Sequence, residues 1–98
     1  MQIDENKSAV LAKVDDAGAL AQLADEHGVA DDDWTKLKSL VDSRFITGGK
    51  SPGDILQTTF NVPNWIRPYV QWAKWWDDWT GDKDVYEGDN GHFYVFKQ

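Results

Sequence analysis

The chain has 98 residues, with 17 acidic against 10 basic side chains and a formal charge of −7, a size that fits one domain with a modest core. Both halves are net acidic, which argues against direct nucleic-acid binding and suits a basic protein partner, although many soluble domains carry such charge only for solubility. Without cysteine there is no disulfide, thiolate or zinc–cysteine chemistry.

The predicted elements run as follows. Asp4 to Val14 places Val10, Leu11 and Val14 on one helical stripe. Asp15 or Asp16 can cap a second helix, whose Leu20, Leu23 and Ala24 keep i, i+3, i+4 spacing, and Gly28 ends it as a C′ residue. Asp31-Asp32-Asp33 opens a third helix, with Asp31 as cap and all three carboxylates at the positive end of the dipole. Trp34, Leu37, Leu40, Val41 and Phe45 then face inward, and Gly48-Gly49 breaks the chain. Ser51-Pro52 starts a fourth helix. Asn64 caps a fifth, with Pro68 in its first turn and Thr80-Gly81 as its stop. Val85-Tyr86 and His92 to Phe96 flank Asp89-Asn90-Gly91, a strong hairpin signal. The expectation is one mainly α domain over residues 1–98, with about five short helices and a C-terminal β-hairpin.

The fifth helix is the most informative. Five of the six tryptophans fall between Trp65 and Trp79. At about 100° per residue, Trp65, Tyr69, Trp72, Trp76 and Trp79 share a stripe, widened by Ala73, Ile66 and Val70 on one flank and Trp75 and Pro68 on the other. So wide an apolar arc exceeds what a small core needs, and part of it is expected to meet a partner. Trp72 and Trp76 at its centre read as structural; Trp75 and Trp79 at its edge read as core or binding surface alike. The acid-rich stretch holding Asp82, Asp84, Glu87 and Asp89 reads as turn-rich and solvated.

Catalysis finds little support. His27 lies near a helix C-terminus and His92 beside a turn, both positions with simple structural uses. No nucleophile elbow, phosphate loop or zinc-protease motif is present. Counting a calcium loop from Asp82 puts Glu87 where glycine is needed and Phe93 where a bidentate acid is needed, so neither metal nor cofactor is expected. Stacking of sugars on the tryptophans is a more distant alternative.

Val62-Pro63, Tyr69-Val70, Trp72, Asp78 and the ending Asn90-Gly91-His92-Phe93-Tyr94-Val95-Phe96 resemble the C-terminal end of the ArdA antirestriction proteins. Tyr69 matches that family's first tyrosine, Trp72 and Trp75 replace later aromatics, and Asp78 falls on its aspartate. Asp77 stands where the family has arginine, Gln71 where it has aspartate and Trp79 where leucine is usual, and the family's N-terminal α/β domain has no counterpart at this length. The resemblance implies an acidic DNA mimic that occupies the DNA-binding groove of a restriction enzyme or, in a shortened relative, of a CRISPR effector.

The functional expectation is therefore a non-enzymatic inhibitor from a phage or mobile element. It would meet the basic DNA-binding surface of a host defence protein through Asp31, Asp32, Asp33, Trp75, Asp77, Asp78, Trp79, Asp82, Asp84, Glu87 and Asp89. The alternative is a generic interaction or dimerisation domain with tryptophans buried between subunits. Met1-Gln2-Ile3-Asp4-Glu5 lacks the basic-then-apolar order of a signal peptide, and no apolar run approaches a membrane span, so a cytoplasmic location in the host cell is expected.

Overall fold

The computed structural model describes residues 5–98; the expectations for residues 1–4, including a first helix beginning at Asp4, lie outside them. Five helices and a three-stranded sheet follow in the order α1 (Glu5–Lys13), α2 (Ala17–Glu26), α3 (Trp34–Arg44), β1 (Phe45–Gly49), α4 (Pro52–Phe60), a 3-10 turn (Arg67–Tyr69), α5 (Trp72–Thr80), β2 (Lys83–Glu87) and β3 (Phe93–Lys97). The fold is mainly α, with the expected hairpin enlarged to an antiparallel sheet of order β1-β3-β2. No described helix is long and apolar enough to cross a membrane.

The C-terminal strand is the middle of the sheet and is buried on both faces. Its side chains alternate between two layers, as strand geometry requires. Tyr94 and Phe96 face the larger core with Tyr86 of β2, Val14 of the α1–α2 turn, and Val10, Leu20, Leu23, Leu37 and Val41 from α1–α3. Phe96 packs on Phe45 and Tyr86 at ring separations of 5.5 and 5.4 Å. On the opposite face, Phe93 meets Trp76 of α5 at 6.2 Å. Val95, Ile55 and Leu56 are also buried, outside the larger cluster. The molecule is elongated, 51 × 27 × 23 Å, with a radius of gyration of 14.8 Å against about 13 Å for a compact chain of this length.

Local chemistry sets the helix ends. Gly28, at φ +66°, closes α2, with Val29 N–H donating to Ala24 O (2.8 Å) and Gly28 N–H to Asp25 O (3.3 Å); this double bond pattern needs a left-handed C′ residue. Ser51 caps α4 ahead of Pro52, as expected, its Oγ accepting from Asp54 N–H. The third helix departs from expectation, because Asp33 rather than Asp31 is its cap, accepting from Lys36 N–H at 3.3 Å. Ala30–Asp33 is used to reverse the chain, with Asp33 N–H bonded to Ala30 O.

Helical spacing puts Phe45 on α3, but it begins β1, and the Gly48-Gly49 pair extends that strand. Register explains the glycines. A Cβ at Gly48 would stand 3.0 Å from the Tyr94 ring, and one at Gly49 2.8 Å from Ile55. The pair lets sheet and helix approach closely.

The larger correction concerns the tryptophan helix. It starts at Trp72, and Trp65 and Tyr69 precede it in turns and a 3-10 segment. With Asn64 as N-cap, Pro68 would be the fifth residue counted from the cap, the first whose N–H an α-helix requires. The chain instead closes a 3-10 turn, with Tyr69 N–H to Ile66 O and Val70 N–H to Arg67 O. Val70 is extended (φ −87°, ψ 132°), and α5 restarts beyond it.

Asp16 ties the layers together. Its Oδ1 accepts from Ala19 N–H (2.9 Å), capping α2, and from Asp89 N–H (3.0 Å); its Oδ2 accepts from Asn90 N–H (3.0 Å). Those backbone donors hold its carboxyl below the ordinary value, against an opposing effect of burial. The fit is reciprocal: a Cβ on Gly88 would lie 2.5 Å from the Asp16 carboxyl, and one on Gly18 2.6 Å from that of Asp89. Tyr86 adds a second tie, donating its hydroxyl to Glu26. Burial, then the Glu26 carboxylate, pushes the Tyr86 pKa up.

Asp16→Ala removes a cap and leaves two hairpin N–H groups without their acceptor, and should lower the thermal midpoint by roughly 10 °C or more. Because the folded pKa lies below the unfolded one, the stabilisation is full above the ordinary value of 3.8 and fades as pH falls through the depressed value. Thermal melts between pH 2 and 7 should therefore show a smaller acid-induced loss in the variant than in the wild type. Parallel curves would remove this carboxylate from the account.

Candidate partner-binding surface

Helices α4 and α5 pack against each other and against the sheet, and the segment between them carries the most exposed aromatics. Phe60, at the end of α4, sits between Trp75 and Trp79, with ring separations of 5.0 and 5.7 Å. Trp72 stacks on Trp75 at 5.9 Å, and Trp76 contacts Trp79 at 5.9 Å. No residue of α5 is fully buried, so the helix lies on the surface with its indoles half covered. Phe60 is 46% exposed, Trp65 74% and Tyr69 80%. Asn61 turns the chain out of α4 in the left-handed conformation (φ 51°) that asparagine tolerates.

These contacts redistribute the expected roles. Trp76 is structural, gripping the sheet through Phe93. Trp72 is stacked with Trp75 rather than central to the core. Trp75 and Trp79, the expected edge, are half-buried against Phe60, and the Lys83 ammonium lies 5.0 Å above the Trp79 ring. The outermost positions belong to Trp65 and Tyr69, which helical periodicity assigns to the central stripe. Only recognition that Pro68 stops a helix begun at Asn64 would have found them.

The nine carboxylates among the eleven expected contact residues divide into two kinds. Asp33 pairs with Lys36 (3.9 Å), Asp78 with Lys74 (3.8 Å) and Asp82 with Lys83 (2.8 Å). The Lys83 ammonium holds the Asp82 carboxyl below its ordinary value. Asp84 accepts from Gln98 within β2, and the Asp89 carboxyl lies against Gly18 at the start of α2. Residues 83–87 are thus strand rather than turn, because Val85 and Tyr86 bring Asp84 and Glu87 into the ladder with β3, while Asp82, Glu87 and Asp89 are exposed as expected. Asp31, Asp32, Asp77 and Glu87 are exposed and make no side-chain bond among the described residues. Asp77 is in α5, beside the aromatics; Asp31 and Asp32 lie in the turn before α3.

Both histidines bond through their backbone, and the His27 Nε2 is buried without a hydrogen-bond partner among the described residues. His27 ends α2 with its backbone N–H on Leu23 O (3.2 Å), and His92 in the hairpin donates its N–H to Asn90 Oδ1. The described residues hold no group of three or more His, Asp or Glu arranged to take a metal.

No family model, curated protein or solved structure matches the chain.

The burial pattern separates structural from exposed aromatics. Trp76→Ala should cost roughly 2–4 kcal/mol and Trp75→Ala roughly 1–2 kcal/mol, while Trp65→Ala and Tyr69→Ala should stay within about 0.5 kcal/mol of wild type. Urea unfolding of the four variants reads this order directly, and losses as large at Trp65 as at Trp76 would contradict it.

Proposed function

We propose that this protein is a stoichiometric binding protein, with no catalytic step of its own, that docks on a basic surface of another protein. The carrying observation is the coincidence of exposed Trp65, Tyr69 and Phe60 with a charge of −7. Large aromatics left in water are costly for a small domain, and they are the residues that dominate protein interfaces. The charge steers a basic partner toward the acidic molecule from a distance, and the aromatics hold it on contact.

Within that reading, the resemblance to the ArdA end supports a particular partner class, the DNA-binding surface of a host restriction or CRISPR enzyme, reached from the cytoplasm of the host cell. The unpaired Asp31, Asp32, Asp77 and Glu87 are the carboxylates best able to replace phosphates. Asp33, Asp78 and Asp82 already have lysine partners, although exposed pairs of this kind are weak and exchangeable. Mimicry would thus rest on fewer carboxylates than the sequence offers, with a larger share of the affinity coming from the aromatic surface.

Two measurements test the proposal. Labelled duplex DNA at low salt, where nonspecific attraction is strongest, should show no complex with the protein at micromolar concentration. Added to a restriction or CRISPR enzyme already holding DNA, the protein should displace the DNA, less effectively as salt rises. The double change Trp65→Ala, Tyr69→Ala should weaken displacement at least ~tenfold, as loss of aromatic anchors does elsewhere. Micromolar DNA binding by the protein, or displacement indifferent to the double change, would overturn the reading.

A further inference from the structure

A groove of about 470 Å³ lies on the other side of the fold, between the start of α2 and the facing sides of α1 and α3. Leu11, Leu20 and Ala21 give it an apolar lining. Trp34, half-buried, forms one wall, and the exposed carboxylates Asp15 and Asp31 are at its rim. Asp16 lies behind them, its oxygens already engaged by three backbone N–H groups. That cap answers the positive end of the α2 dipole, which would otherwise repel a cation there.

The groove already receives a cation from its own chain. The Lys7 ammonium stands 5.5 Å from the centroid of the Trp34 ring, within the range of a cation–π contact. Lys7 is itself exposed. The tether of α1 fixes where its ammonium can reach, and the remaining volume lies within the range of small-ligand sites.

We propose that this groove seats an arginine side chain of the basic partner, stacked on Trp34, with its guanidinium paired to Asp15 and Asp31 and its methylenes over Leu11, Leu20 and Ala21. A planar guanidinium suits the site better than an ammonium, because it stacks on an indole and bonds carboxylates in the same plane. The inference rests on the reading of a basic protein partner. It adds a second contact, independent of the α4–α5 aromatics, that selects arginine.

Capped arginine (N-acetyl-arginine methylamide) is the probe, with capped citrulline as its neutral counterpart of the same shape. The readout is the Trp34 indole N–H peak in a proton–nitrogen spectrum, assigned by Trp34→Phe. Arginine should shift that peak with an affinity of millimolar order, and citrulline should bind at least ~tenfold more weakly. Asp15→Asn with Asp31→Asn, both exposed and therefore compatible with folding, should weaken arginine at least ~fivefold. Lys7→Met should tighten it by removing the competing cation, and Trp65→Ala with Tyr69→Ala should leave it unchanged. Equal responses to arginine and citrulline, or no loss on removing the two carboxylates, would overturn the groove. Because the probe contains no partner protein, such a failure leaves DNA displacement as a separate test of the function.

Discussion

The last strand carries the architecture. β3 pairs with β1 on one side and β2 on the other. Its alternating side chains enter two layers, Tyr94 and Phe96 toward α1–α3 and Phe93 toward α5. Burying both faces of a five-residue strand concentrates much of the apolar gain of a 98-residue chain in one place. It also makes the fold non-local, since Phe45 must find Phe96 across half the sequence. The hairpin supplies the short-range start. Asp16 then fixes that hairpin to α2 through bonds spanning more than seventy residues.

This arrangement leaves the α4–α5 unit with a divided task. Trp76 covers the sheet, so α5 must lie against it, but α5 has no fully buried residue. Helical spacing then directs Trp75 and Trp79 toward Phe60 rather than into the core. Pro68 and the extended Val70 hold Trp65 and Tyr69 outside the helix. A chain optimised for stability alone would have polar residues at those two positions. Their exposure on an acidic molecule is the physical basis for the proposal that this side of the fold meets a partner.

Much of the fold was legible in the residues. The Val10/Val14, Leu20/Leu23/Ala24 and Leu37/Val41 stripes are buried as their spacing implies. Gly28, Ser51-Pro52 and Asn90-Gly91 mark real turns or caps. What failed depended on neighbours distant in sequence or on a count within one turn. Gly48-Gly49 looks like a break until Tyr94 and Ile55 are seen against it. The exposed Asp89 gives no sign in sequence that its backbone N–H meets Asp16. Pro68 looks harmless until its place from the cap is counted. The Trp34 groove left no linear signal, since its walls come from three helices that only folding brings together.

The central claim is that the outward aromatics of the α4–α5 connection are an interface, separate from those that hold the sheet. Its most direct test is fluorine NMR of protein carrying 5-fluorotryptophan, titrated with the DNA-binding subunits of a restriction or CRISPR enzyme. The account predicts that the Trp65 resonance shifts or broadens at stoichiometric partner while that of Trp76 stays in place, and that excess duplex DNA reverses the change. An unmoved Trp65 resonance in a complex that demonstrably forms would contradict it.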